Sequence, residues 1–216
     1  MEQYRDWENV EKSHITSADK ADLEGRLQEE MPARDQLESA AQHQENRVDI
    51  KGFERSDVMT NQEVDNYLED NLPADHLRGD RITSIQYSDQ YHGDQHSTVL
   101  GTCSTNPETR VSEIEVHRQT PEGSVDRGSM EHTLTHEVGH NIYYNMGESN
   151  MSFWNQLSTH SGVDGYVSNY ARTNVREDFA ESYASYVRDP ELLQEVNSQK
   201  YTFMKHQVFG GREYGN

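Results

Sequence analysis

Between residues 130 and 146 the apolar positions Leu134, Val138 and Ile142 recur every four residues, while His136 and His140 lie roughly opposite them. This period predicts a helix with one side to bury and one polar side. A second helical period runs from Asn174 to Val187, with Phe179, Tyr183 and Tyr186 or Val187 on one face and the small residues Ala180 and Ala184 beside them. Glu177 and Glu181 share another face, and Asp189-Pro190 ends the run. Asn61 to Leu72 reads as a helix closed by Pro73. Arg81 to Tyr87 and Val111 to Arg118 read as strands, the second alternating Ile114 and Val116 with charged neighbours. Ser158 to Gly165 is rich in Ser, Thr and Gly and reads as a loop, and Gly210-Gly211 reads as a turn in a tail. The order helix, strands, helix, loop, helix predicts an α+β domain over residues 48–216. Residues 1–47 are dense in Glu, Asp, Gln and Arg, with a thin stripe of Leu23, Leu27 and Met31 before Pro32. They read as an acidic arm, helical or partly disordered, whose simplest form is a solvated helix.

The chemistry lies in His136-Glu137-Val138-Gly139-His140, an HExxH motif. Residues four apart in a helix differ by about 40° around its axis, so the two imidazoles can grip one metal ion. Glu137 follows His136 by about 100° of rotation, which places it beside that ion as a general base for an attacking water. A catalytic zinc usually takes three protein ligands, so a third donor is required. The metzincin pattern would need Gly and His three and six residues after His140, where Tyr143 and Met146 stand. A carboxylate from the downstream helix remains, with either Glu177 or Glu181 on the metal and the other holding a ligand histidine in its tautomer. Alternatives stay open at this level. Glu177 also fits a capping box opened by Asn174, which would pass the metal to Glu181 or Asp178. Tyr170 also reads as a packing residue, and His160, in the loop, is a further donor.

The combination of HEVGH with SNYARTNVREDFAESYASY, from Ser168 to Tyr186, resembles the catalytic domain of the anthrax lethal factor family and the Pro-Pro endopeptidases, which are gluzincin-type metallopeptidases. The match spans about residues 130–190. The resemblance implies a zincin-like fold with a small mixed sheet. It also implies one Zn2+ held by His136, His140 and Glu177, Glu137 as general base, Tyr170 as donor to the oxyanion, and Glu181 behind a ligand histidine. The implied activity is zinc-dependent endopeptidase hydrolysis of a peptide or protein substrate, which pairs with a sheet edge at Val111 to Arg118 or Thr98 to Thr102. The competing class is a non-catalytic virion or effector module that keeps the metal as a structural element.

Composition narrows the partners. The chain has 216 residues and a formal net charge of -20, and only five of its 19 basic residues are lysines, which argues against nucleic acid or an anionic membrane. The acidity reads as a solubility adaptation of the kind seen in salt-rich cytoplasm, or as steering of basic substrates. Hydrophobic content of 31% and a mean hydropathy of -1.06 indicate that part of the chain builds no core of its own. A single cysteine, Cys103, rules out an intrachain disulfide and carries no nucleophile signature. Neither a secretory signal pattern nor an apolar run of ~20 residues is found, so a cytoplasmic location or non-Sec delivery by a phage particle or injection system is expected. Oligomeric state is not encoded in any of these features.

Overall fold

A computed structural model describes residues 47–93, 98–123, 126–162 and 164–215, all within the unit Asn46–Asn216. The acidic arm expected over residues 1–47 therefore lies outside the described residues, apart from Arg47. Among those described, four strands and six α-helices form a mixed α+β fold: β1 (Asp49–Lys51), α1 (Asn61–Asn71), β2 (Ile82–Tyr91), β3 (Gly101–Thr105), β4 (Ser112–Arg118), α2 (Arg127–Asn145), α3 (Glu148–Thr159), α4 (Val175–Arg188), α5 (Pro190–Val196) and α6 (Ser198–Phe203). Among the described residues no helix is long and apolar enough to cross a membrane.

The sheet runs in the order β1-β2-β4-β3, with β1, β2 and β4 mutually parallel and β3 antiparallel to β4. Ile82, Ile85, Ile114 and Val116 are buried and form its core-facing surface. The strand predicted over Val111 to Arg118 is present, but it has neighbours on both sides. Among the described residues the edge on that flank is β3 instead, which overlaps the expected Thr98 to Thr102 stretch at Gly101 and Thr102.

Local chemistry explains where the helices start. Thr60 opens α1 with a reciprocal capping box to Glu63, and Val64 and Leu68 then face the core one turn apart. Asp126 caps α2 by accepting from the Ser129 N–H at 2.8 Å. The predicted apolar back of α2 is buried as Leu134, Val138 and Ile142, with Met130 extending it upstream. Asn141 ties the helix to the sheet, donating to the Arg81 carbonyl at 3.0 Å and to Ser112 Oγ at 2.7 Å.

The loop expected over Ser158 to Gly165 begins two residues late, and two other segments do more than their sequence suggests. Glu148 to Thr159 is a helix, α3, whose single large core residue, Trp154, packs edge-on against Phe179 at 5.0 Å. Only the stretch after Thr159 connects. Asp189-Pro190 ends α4 but also begins α5, because Asp189 accepts from the Leu192 N–H and Pro190 occupies the first helical position, where its missing N–H costs nothing. The segment around Gly210-Gly211 does turn, with both glycines at positive φ. It is not a free tail, however. Phe209 is buried, the Arg212 carbonyl accepts from Tyr186 Oη at 2.7 Å, and Tyr214 Oη donates to the Asn71 carbonyl at 2.6 Å.

Candidate metal centre

Two helices build the site, and one glycine sets how near they come. A Cβ on Gly139, inside the HExxH motif, would lie 3.1 Å from Ala180 Cα and 3.2 Å from Tyr183 Cβ, so its absence lets α2 and α4 approach closely. His136 and His140 project from α2 towards Glu177 on the first turn of α4. His136 Nε2 and His140 Nε2 each lie 3.1 Å from the same atom, Glu177 Oε2.

Those distances fit a metal. Ligands about 2.0–2.1 Å from a tetrahedral zinc stand about 3.3 Å from one another, close to the spacing seen here. The donor atoms of His136, His140 and Glu177 all fall within 4.8 Å of one another, and all three side chains are buried or half-buried. This group could hold a metal ion. Asn174 accepts from the N–H groups of Arg176 and Glu177 as the α4 cap, but the Glu177 carboxylate turns to the histidines and does not close a capping box. Burial raises the Glu177 pKa, yet the two histidine bonds outweigh it and bring it down to about 2.

Glu181 lies one turn along α4, where its Oε1 is 2.8 Å from His136 Nδ1 and 3.0 Å from His132 Nε2. With Nδ1 engaged by a carboxylate, Nε2 is the nitrogen left for a metal. Burial works against ionisation of Glu181, but bonds from His132, His136 and Ser168 hold it well below the usual carboxylate range. Burial likewise pulls the His136 pKa down, and the bonds to Glu177 and Glu181 reverse that and push it up to about 9. His132 did not figure in the sequence reading, although its position four residues before His136 puts it on the same helix face.

Glu137 is buried, and burial raises its pKa against the pull of His136 and His140. It faces the start of β3. A Cβ on Gly101 would sit 2.7 Å from Glu137 Oε1 and 2.8 Å from Thr133 Cγ2, so only glycine lets the edge strand pass so near this carboxylate. Tyr170 opens a short 3-10 turn ahead of α4, with its ring centroid 5.8 Å from that of His136. It is 56% exposed, which disfavours a core-packing role. Burial of its hydroxyl and the charges of Glu177 and Glu137 raise its pKa to about 12, so without a bound ion the phenol keeps its proton at neutral pH.

Other candidates fall away from this cluster. His160 Nδ1 bonds the Gln156 carbonyl at 2.7 Å and joins no group of metal donors among the described residues. Asp178 is buried on a different face, bonded to Lys200 Nζ at 2.7 Å. Burial pushes the Cys103 thiol up to about 11, which makes it inert as a nucleophile. No family model matches the chain, and no curated protein matches it.

Proposed function

We propose that the protein is a zinc-dependent metalloendopeptidase of gluzincin type, similar to the lethal factor and Pro-Pro endopeptidase catalytic domains. The carrying observation is the shared contact of His136 Nε2 and His140 Nε2 with Glu177 Oε2, in a cluster flanked by one buried carboxylate and one exposed phenol. A site built only to stabilise the fold has no need of Glu137 or Tyr170. Imidazole and carboxylate donors at this spacing suit zinc, which when bound would act as a Lewis acid and bring the pKa of an attacking water towards about 7.

The protein groups divide the remaining work. Glu137 takes the proton of the attacking water, which its raised pKa equips it to do, and later delivers that proton to the leaving amine. Tyr170 donates to the oxyanion that develops on the scissile carbonyl. Glu181 orients His136. The open edge of β3, lying against Glu137 at Gly101, is the natural place for an extended peptide to add as a strand, so that backbone bonds hold it in register beside the base.

The test combines metal stoichiometry with incubation against a diverse peptide library, using Glu137→Gln as the control. One zinc per chain in both proteins, with cleavage only by the wild type, is the expected result. A wild type that carries zinc and cuts nothing beyond the control, across salt concentrations, overturns the reading.

A further inference from the structure

Beyond His140 and Glu177 the same two helices make a second cross-link. Tyr144 follows His140 by four residues and so continues its face of α2, and Arg176 immediately precedes Glu177. Arg176 Nη1 donates to Tyr144 Oη at 2.6 Å, and its guanidinium carbon lies 6.0 Å from the centre of the same ring. The Tyr144–Arg176 pair is thus the next rung after His140–Glu177 along the seam between α2 and α4. Arg110, on the turn between β3 and β4, joins it from the other side by donating from Nη1 to the Tyr144 carbonyl at 2.6 Å.

This rung is cationic in a chain that carries 39 acidic residues against 19 basic ones. Arg47, Arg55, Arg78, Arg127 and Arg188 pair with carboxylates. Arg110 and Arg176 have none among the described residues, though both are exposed. Arg110 closes the β3–β4 turn at φ 62, its N–H donating to the Asn106 carbonyl at 2.9 Å, and Asn145 Nδ2 donates to the Arg110 carbonyl at 3.0 Å, so the base of the arginine side chain is fixed. Both Arg176 and Arg110 use one Nη1 donor, which leaves a face of each fork for another acceptor. The ligand that best fits a planar fork of N–H groups is a carboxylate, bound by paired charge-assisted bonds.

We propose that Arg176, braced by the Tyr144 hydroxyl, heads a carboxylate-binding subsite on the His140 side of the metal centre, with Arg110 adding positive charge at the backbone of the same tyrosine, so that it selects substrates with an acidic side chain or a C-terminal carboxylate at that position. The proposal rests on the hydrolase reading for its meaning, but binding alone can test it. A peptide library acetylated and amidated at its ends is offered at 0.15 M salt to the zinc-loaded Glu137→Gln protein, and the bound fraction is sequenced. A second arm uses the same library with free C-termini. Asp and Glu should be enriched over Asn and Gln about tenfold or more at one position if a side chain is read; free acids should be retained over amides by a similar factor if the terminus is read. Arg176→Gln should abolish the enrichment, and Arg176→Glu should replace it with Lys and Arg, each variant still carrying one zinc per chain. Equal binding of acids and amides throughout, no binding in either arm, or an acidic preference that survives Arg176→Glu overturns the subsite. Hydrolysis of the enriched peptides by the wild type is read separately. Peptides that are enriched but uncut leave the subsite standing and remove the hydrolase, whereas cleavage without acidic preference does the reverse.

Discussion

Glu181 Oε1 stands 2.8 Å from His136 Nδ1 and 3.0 Å from His132 Nε2, so one carboxylate oxygen joins two histidines a helical turn apart. If this bond sets the orientation of His136, Glu181→Ala should weaken zinc affinity by about 10-fold to 100-fold. His132→Ala should weaken it less, since it acts only through Glu181, and Glu181→Gln should recover part of the loss. Competition with a chelator of known affinity measures all three. Unchanged affinity in Glu181→Ala would mean that His136 is held by its helix alone.

Gly101→Ala should reduce turnover about 10²-fold while leaving zinc content at one per chain. The added methyl would fall 2.7 Å from Glu137 Oε1, so either the base or the edge strand must shift. Steady-state kinetics beside metal analysis separate this from unfolding. A fully active Gly101→Ala protein would show that the close approach is incidental.

Tyr170→Phe should lower kcat by about 10²-fold to 10³-fold and retain the metal. Kinetics read beside metal analysis separate the two effects, and a fully active Tyr170→Phe protein would remove the phenol from the oxyanion.

If zinc binds as proposed, it displaces a proton from His136, whose pKa before binding is raised to about 9. Titration calorimetry in two buffers of different ionisation enthalpy should therefore report close to one proton released per ion at pH 7.5, and fewer above pH 9. The same shift has a stability sign. A raised folded pKa gives a contribution that is complete below the unfolded value of about 6.5 and lost as pH climbs through about 9, so chelated protein should melt progressively lower across that range.

His76 should act in the opposite direction. Its Nε2–H donates to the Val208 carbonyl at 3.1 Å, and its Nδ1 accepts from Tyr183 Oη at 2.8 Å, an arrangement that needs the neutral ring. Burial lowers its folded pKa below that of the unfolded chain, so its contribution is complete above about pH 6.5 and fades on acidification. Comparing melting temperatures of wild type and His76→Gln from pH 8 to 5 checks this. The wild type should lose more between pH 6.5 and 5, and parallel curves would refute the effect.

The parts of the site that were legible in the sequence are those fixed by helical period. His136 and His140 share a face because they are four apart, and Glu177 and Glu181 do so for the same reason, so the contacts of Glu177 and Glu181 follow from spacing once the two helices meet. That meeting depends on Gly139, whose role is visible only when Ala180 is found against it. The edge strand was harder to place. Gly101 to Thr105 reads GTCST, without the apolar alternation that marks a half-buried strand, because its value lies in backbone pairing and in a missing side chain. The last helices were hidden by punctuation that serves two ends at once, with Asp189-Pro190 stopping α4 and capping α5.

Lys200 Nζ, wholly buried, bonds the Gly165 carbonyl at 2.7 Å as well as Asp178, the neighbour of Glu177. Three segments distant in sequence thus meet on a single amine just behind the metal centre. An acylating reagent has no path to that nitrogen while the domain is intact, so the fraction of chains labelled at Lys200 reports on how much of a preparation has lost its architecture around the site. That readout needs no substrate.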